Sequence, residues 1–94
     1  MKPLNEPVTA AEMLAEIDMM ESRAISRRVD MRFTLLEIHR MKRTIAAAMT
    51  RQGVKAIEAP GGGTFAVHNG NLCMHFGVGA KADSVVVKPE DMGI

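Results

Sequence analysis

The sequence predicts a small α+β domain, in which one long N-terminal amphipathic helix is followed by a small antiparallel β-meander packed on it. Three observations predict this class. The 94 residues suffice for one domain with a modest core. Neither Gly nor Pro interrupts the chain between Val8 and Gln52, as expected of a helix. Downstream, apolar and polar residues alternate on both sides of Asn69-Gly70, which is typical of a β-hairpin.

We divide this single domain, residues 1–94, into an N-terminal arm at 1–8, the helix at 9–52, a sheet region at 54–88 and a tail at 89–94. Thr9 and Glu12 have the spacing of a capping box at the start of the helix. Gly53 is placed to end the helix in the left-handed conformation, with the cationic Arg51 in its last turn. We expect the tail to be frayed or to serve as an arm that binds a partner.

The length of the predicted helix sets a packing problem. At 1.5 Å per residue the helix would be about 65 Å long, whereas a compact chain of this size has a radius of gyration of about 12–13 Å. The helix therefore either associates with another copy or bends back as a hairpin. A gap in its apolar stripe at Arg27 and Arg28 fits a bend. Because the surrounding segment ESRAISRR lacks the Gly, Asn or Pro of most turns, we favour a continuous or gently bent helix.

A continuous helix implies self-association through its apolar stripe. Residues with helical spacing along this stripe would form a coiled-coil-like seam in a homodimer or higher oligomer. The predicted seam comprises Leu14, Ile17, Met20, Met31, Leu35, Ile38, Ile45 and Met49. A second, shorter apolar patch lies about opposite the stripe and is assigned to contacts with the sheet; it comprises Ile25, Val29, Phe33 and Leu36.

The segment TFAVHNGNLCMHF, residues 64–76, predicts a hairpin with a two-residue type I′ turn at Asn69-Gly70. This turn fixes the cross-strand pairs His68–Asn71, Val67–Leu72, Ala66–Cys73, Phe65–Met74 and Thr64–His75. Because successive side chains of a strand point to opposite faces, the apolar residues share one face, which we expect to pack on the helix: Phe65, Val67, Leu72, Met74 and Phe76. Further strands are predicted within VKAIEA at 54–59 and SVVVK at 84–88.

The other face of the hairpin carries two histidines and the sole cysteine of the chain, His68, Cys73 and His75. Zinc accepts these ligand types, but structural zinc sites usually take four ligands and the sequence supplies no fourth. A redox function would require a second thiol from another chain. We therefore predict a half-solvated polar face in which the thiol of Cys73 is buried, with no metal and no cofactor.

Charge is segregated along the chain, although the formal net charge is only +1. Residues 1–22 carry −4, residues 23–55 carry +7 and residues 56–94 carry −2. Within the basic block, arginines follow one side of the helix: Arg28, Arg32, Arg40, Arg43 and Arg51. Arginine suits bidentate binding of phosphate or carboxylate. Two interpretations stay open: contact with the phosphates of a nucleic acid or nucleotide, and pairing with acidic residues of another protein or protomer.

The sequence shows no catalytic triad, paired carboxylates or HExxH motif, so we predict that the protein is not an enzyme. No segment is long and apolar enough to span a bilayer, and the start MKPLNEPV lacks the apolar core of a secretory signal. We therefore expect a cytoplasmic protein without membrane contact.

The order of charged helix, strand, hairpin and acidic tail resembles the layout of small accessory proteins encoded by phages and mobile elements. This resemblance implies an inhibitor or adaptor that acts on a larger host complex. Together with the surplus apolar stripe and the nine methionines, it predicts a homo-oligomeric protein-interaction module. Its expected partners are a second copy and a host protein or protein–nucleic acid complex. The alternative function is electrostatic binding of nucleic acid or a nucleotide through the arginines.

Overall fold

Two helices and six short strands make up the part of the chain that the structure describes. This structure, a computed structural model, describes residues 8–27 and 31–93, without the side chains of residues 25–27, 31 and 33. The elements follow in the order β1 (Val8–Thr9), α1 (Ala10–Arg27), α2 (Met31–Gln52), β2 (Ala56–Glu58), β3 (Thr64–His68), β4 (Asn71–His75), β5 (Ala80–Lys81) and β6 (Val86–Val87). Short 3₁₀ helices at Ala82–Ser84 and Pro89–Met92 flank β6. The predicted α+β class is confirmed.

The helical region forms two helices instead of one. α1 and α2 pack against each other in a molecule with a radius of gyration of 13.0 Å and principal extents of 38 × 33 × 22 Å. The prediction of a continuous helix over 9–52 is therefore wrong, and the hairpin alternative is correct. One chain buries its apolar stripe by closing it on itself, which a straight helix of about 65 Å cannot do. α1 ends at Arg27, where the stripe has its gap, and residues 28–30 lie outside the described part.

Most of the predicted oligomer seam belongs to the core of the chain itself. Five members are less than 5% exposed: Leu14, Ile17, Ile38, Ile45 and Met49. Met20 is partly buried against the same cluster. The seam prediction is wrong for these six residues, because contacts within the chain already cover them. Leu35 is 54% exposed on α2, and the side chain of Met31 lies outside the described residues.

The helical region has an N-cap bond at Thr9, one of the two bonds of the predicted capping box, and the predicted glycine cap at its end. The Oγ1 atom of Thr9 accepts a hydrogen bond from the backbone N–H of Glu12 at 3.2 Å, as an N-cap residue does. Gly53 has a φ of +73°. The N–H groups of Gly53 and Val54 donate to the carbonyl oxygens of Thr50 and Met49 at 3.2 and 2.9 Å. These two bonds form a Schellman C-cap, so α2 ends where the sequence predicts.

The β3–β4 hairpin has the predicted register at all five pairs. Asn69 and Gly70 have φ values of +51° and +76°, so both adopt the left-handed conformation of a type I′ turn. The hairpin extends into a four-stranded sheet with strand order β4-β3-β2-β5. The predicted antiparallel meander is corrected at one point, because β5 pairs with β2 in parallel. β1 and β6 form a separate antiparallel pair, in which Val8 lies opposite Val87.

The core lies beneath β2 and the chain segment around β6. Ile57 of β2 is fully buried, and Val85 and Val87 are at most 2% exposed. The residues of the hairpin that reach this core are only partly buried: Phe65, Val67 and Leu72. Met74 and Phe76 are 75% and 94% exposed, which contradicts the prediction that the whole apolar face of the hairpin packs on the helix. The reason is position, since Met74 is on the edge strand β4, Phe76 follows it, and burial decreases from β2 through β3 to β4.

Candidate interaction surface on helix α2

The solvent-facing side of α2 is strongly basic. α2 contains five Arg and Lys residues against a single acid, Glu37. Residues that recur every three or four positions share one side of a helix. On the side of α2 away from the core, this spacing gathers one set of mostly exposed residues, which we call the α2 face: Arg32, Leu35, Leu36, His39, Arg40, Lys42 and Arg43. Four of the five cations of α2, all except Arg51, thus lie on the α2 face.

The five arginines of the predicted stripe do not share one environment. Arg32, Arg40 and Arg43 are exposed on the α2 face. Arg51 lies further along the same helix and is engaged by the tail, while Arg28 lies outside the described residues. Within the described chain, the side chains of Arg40 and Arg43 have no hydrogen-bond or ion-pair partner. Like charges at this spacing destabilise a helix by a few tenths of a kcal/mol, so the pair is favourable only with an anionic partner.

Two leucines lie among these cations. Leu35 and Leu36 are 54% and 67% exposed. Both line a shallow depression, together with Arg32, Ile38, His39 and Lys42. A second depression shares Leu36 and His39 and continues past Arg40 and Arg43 to the end of the helix. Because the two depressions share Leu36 and His39, we describe them together as one groove along α2, with apolar and cationic residues side by side; Asp91, Met92 and Gly93 of the tail line its far end.

Leu36 corrects the prediction that the second apolar patch packs on the sheet. The sheet packs against the side of α2 that carries Ile45 and Met49. These two residues belong to the same buried cluster as Ile57 of β2. Leu36 lies on the other side of the helix, where no described element covers it. The side chains of Ile25 and Phe33, and all of Val29, lie outside the described residues.

The C-terminal tail is held against the end of α2, so the prediction of a frayed tail is wrong for residues 89–93. Nε and Nη2 of Arg51 donate to Oδ1 and Oδ2 of Asp91, both at 3.0 Å, and Nη2 also donates to the carbonyl oxygen of Val86 at 2.8 Å. The Asp91 carboxylate is 4% exposed and accepts the N–H of Lys88 at 2.8 Å. Arg51 is thus occupied within the chain, which removes it from the predicted phosphate-binding set.

This Arg51–Asp91 clamp makes stability depend on pH. The hydrogen bond from Arg51 holds the pKa of Asp91 below its ordinary value. Because the folded-state pKa is lowered, the stabilisation is fully present above the unfolded-state pKa of about 3.9 and is lost as the pH falls through the lower folded-state value. We expect Asp91→Asn to lower the thermal midpoint at neutral pH. The difference from the wild type should shrink below about pH 4.

Asp83 provides a control of the same residue type. Its side chain is exposed and has no hydrogen-bond or ion-pair partner among the described residues. Asp83→Asn is therefore expected to leave the pH dependence of the thermal midpoint unchanged. Circular-dichroism melts of the wild type and both variants between about pH 3 and 7 test the clamp. Parallel pH profiles for the wild type and Asp91→Asn would contradict it.

The polar face of the hairpin presents its three candidate ligands to solvent. His68, Cys73 and His75 are all exposed, and the prediction of a buried thiol at Cys73 is wrong, because this free cysteine lies on the edge strand β4. The register sets none of them directly opposite another, and Nε2 of His68 lies 3.3 Å from Nδ2 of Asn69. Among the residues that the structure describes, no three His, Cys, Asp or Glu side chains gather closely enough to hold a metal ion.

Neither α1 nor α2, over their described residues, is long and apolar enough to cross a membrane. Comparison with protein-family models, with curated proteins and with solved structures finds no match to this chain. The functional argument therefore rests on the surface of the molecule. Two parts of that surface stand out by exposure: the α2 face, and the strand end with Met74 and Phe76.

Asp91 is a residue of this region that the sequence prediction missed. Its segment, Lys88-Pro89-Glu90-Asp91, has Pro at the first position of a short helix and acids directly after it, which is a recognisable start signal. That signal predicts a turn of helix at 89–92 in place of a frayed tail. The partner of Asp91 is Arg51, 40 positions away, and no local pattern indicates that pairing.

Proposed function

We propose that this chain is a non-enzymatic protein-interaction module whose α2 face binds an acidic, apolar segment of a partner protein. The observation that carries the proposal is the position of Leu35 and Leu36, which are 54% and 67% exposed beside cations. Arg40 and Arg43 supply charge that no described residue of the chain neutralises. A ligand that satisfies both features has carboxylates and apolar side chains on one surface.

The leucines favour a protein over a nucleic acid as the ligand. Burial of a Leu side chain contributes roughly 1.5–3 kcal/mol when it is complete, but a phosphate backbone offers no apolar surface for such burial. Among the seven residues of the α2 face, His39 is the only one with a ring that can stack on a base, and none is an Asn or Gln that reads base edges. A protein segment with both carboxylates and apolar side chains can contact the cations and the leucines of the α2 face together.

The open groove along α2 fits an amphipathic helix of the partner. Helix-in-groove recognition places apolar residues of the ligand, three or four positions apart, on an apolar strip. Here that strip is Leu35 and Leu36, and the guanidinium groups of Arg40 and Arg43 form bidentate pairs with ligand carboxylates. Within this proposal the chain acts in the cytoplasm as an inhibitor or adaptor that binds a larger complex, in keeping with its resemblance in layout to phage and mobile-element accessory proteins.

Nucleic acid or a nucleotide is the second candidate, because Arg40 and Arg43 line the longer depression without internal partners. Affinity would then fall steeply with salt, as phosphate contacts release counterions. The two candidates differ in what they require of Leu36. Only a protein ligand loses affinity when this side chain is made polar.

Photo-crosslinking in cells of the source organism separates the two candidates. A benzophenone amino acid replaces Ala47, an exposed residue that lines the longer depression one turn beyond Arg43. We expect a protein adduct that resists nuclease. Arg40→Glu combined with Arg43→Glu should reduce its yield by at least about tenfold, and Leu36→Ser by several-fold.

The same photoreactive residue at Asp83, which is exposed on another part of the fold, gives the matched control and should not form this adduct. All three substituted side chains are exposed, so thermal melts of the variants should match the wild type. A nuclease-sensitive adduct would assign the α2 face to nucleic acid. An adduct that is unchanged by the arginine reversals would refute both candidates.

A further inference from the structure

The backbone edge of β4 is open. Because His68 and Asn71 close a two-residue turn, the ladder to β3 uses Asn71, Cys73 and His75 on β4. Leu72 and Met74 therefore direct their N–H and C=O groups away from β3. β4 is the outermost strand of its sheet, and no described residue hydrogen-bonds to these groups. The edge is a template for one more strand.

This edge lacks the devices that normally prevent strand addition. Proteins protect exposed edges with charged residues, proline or bulges. Between Glu58 and Lys81 the chain has no charged residue, and β4 pairs with β3 without a bulge or proline. The exposed side chains at and after the strand are large and apolar: Met74 at 75%, Phe76 at 94% and Val78 at 90%. Both the backbone groups and the apolar side chains of this edge are thus exposed and can contact a partner.

We propose that a second copy of this chain occupies the edge, by antiparallel pairing of β4 with the partner's β4 about a two-fold axis at Met74. In this register Met74 lies opposite the partner's Met74, and Leu72 lies opposite the partner's Phe76. The outward-facing backbone groups of Met74 meet those of the partner's Met74, which satisfies the hydrogen-bond alternation of antiparallel strands, and the Leu72–Phe76 pairs form when β4 extends by one residue beyond His75. The two sheets join into one sheet of eight strands, and the exposed apolar side chains cover one another.

A second copy fits the edge better than a different protein because the strand is self-complementary. The segment carries no charge, so a like copy brings no repulsion across the two-fold axis. In this pairing, Leu72, Met74 and Phe76, which share one face, each lie opposite an apolar side chain of the partner. The paired segment of each copy is short, residues 72–76, and Phe76 lies one position beyond β4, so we expect weak dimerisation, on the order of micromolar. This inference concerns a different surface from the α2 face and does not depend on the proposed partner.

Sedimentation of the full chain over micromolar to submillimolar concentrations tests the dimer. Met74→Lys places two ammonium groups opposite each other and removes the central apolar contact, so we expect the dissociation constant to rise by at least about tenfold. Leu36→Lys is the matched control. It also introduces a lysine in place of an exposed apolar side chain, since Leu36 is 67% exposed and Met74 is 75% exposed. Because Leu36 lies away from the edge, this substitution should leave dimerisation unchanged. Thermal melts at low concentration confirm that both variants fold.

Hydrogen exchange and disulfide trapping test the location and the register. The Leu72 and Met74 amides should become more protected as the concentration rises, while amides of α2 do not. In the proposed register Cys73 lies opposite the partner's residue 75, so His75→Cys should form an intermolecular disulfide with oxidised glutathione, faster than the wild type does. A monomer at all concentrations, equal effects of Met74→Lys and Leu36→Lys, or equal cross-linking of wild type and His75→Cys would overturn the proposal.

Discussion

Replacing Ile45 with Ala is expected to destabilise the folded chain by about 2–5 kcal/mol. Ile45 is fully buried in the cluster that joins α1, α2 and the sheet, so its truncation loses apolar burial and leaves a cavity. A domain of this size has a net stability of roughly 5–14 kcal/mol. The substitution therefore removes a large share of it. Chemical denaturation followed by circular dichroism measures the loss.

Leu35→Ala is the matched control for this prediction. Leu35 belongs to the same helix and the same predicted seam, but it is 54% exposed, so its truncation should change stability by no more than about 0.5 kcal/mol. The loss caused by Ile45→Ala should not vary with protein concentration, because the contact lies within one chain. A loss that disappears at high concentration would place Ile45 in an interface between copies.

Gly79→Ala is the second substitution with a large expected effect. A Cβ atom at Gly79 would lie 2.8 Å from the backbone N of Ile57 and 2.9 Å from the carbonyl carbon of Ala56. Both atoms belong to β2 and cannot move aside as a side chain would. Since β5 begins at the next residue and pairs in parallel with β2, the methyl group pushes the two strands apart. We expect a loss of about 1–3 kcal/mol or more, together with exposure of the fully buried Ile57.

Gly61→Ala controls for the general effect of replacing a glycine. The nearest atom to a Cβ at Gly61 is Oδ2 of Asp18, at 3.4 Å and at the end of a side chain that can move. This substitution should be nearly neutral or slightly stabilising, because it restricts the unfolded chain. Differential scanning calorimetry of the two variants compares them directly. Equal midpoints would mean that β2 and β5 do not approach as closely as described.

The hairpin was predictable because its determinants are local. Asn69 and Gly70 are adjacent, and the alternation on either side leaves only one register that sorts the side chains. The capping residues Thr9 and Gly53 are local signals in the same sense. Such features depend on residues within a few positions of one another, so one sequence suffices to find them.

The features that the sequence did not reveal depend on residues far apart in the chain. The absence of Gly, Asn and Pro from residues 21–28 favoured a continuous or gently bent helix, but burial of most of the stripe within one chain requires two helices, the first ending at Arg27 and the second beginning at Met31. The parallel contact of β5 with β2 and the Arg51–Asp91 clamp have no local pattern. On the candidate site, the basic character of α2 was predictable from composition. The exposure of Leu36 was not, because it depends on which side of α2 the sheet covers.

The pairing of β1 with β6 has a consequence for how the chain folds. Val8 lies opposite Val87, and the N–H of Ala10 donates to the carbonyl oxygen of Val85 at 2.8 Å, so residues near the start of α1 depend on residues far along the chain. Contacts of such large sequence separation are costly in loop-closure entropy and slow to form. During synthesis on the ribosome, the native core therefore cannot close until the segment that carries Val85 and Val87 has emerged.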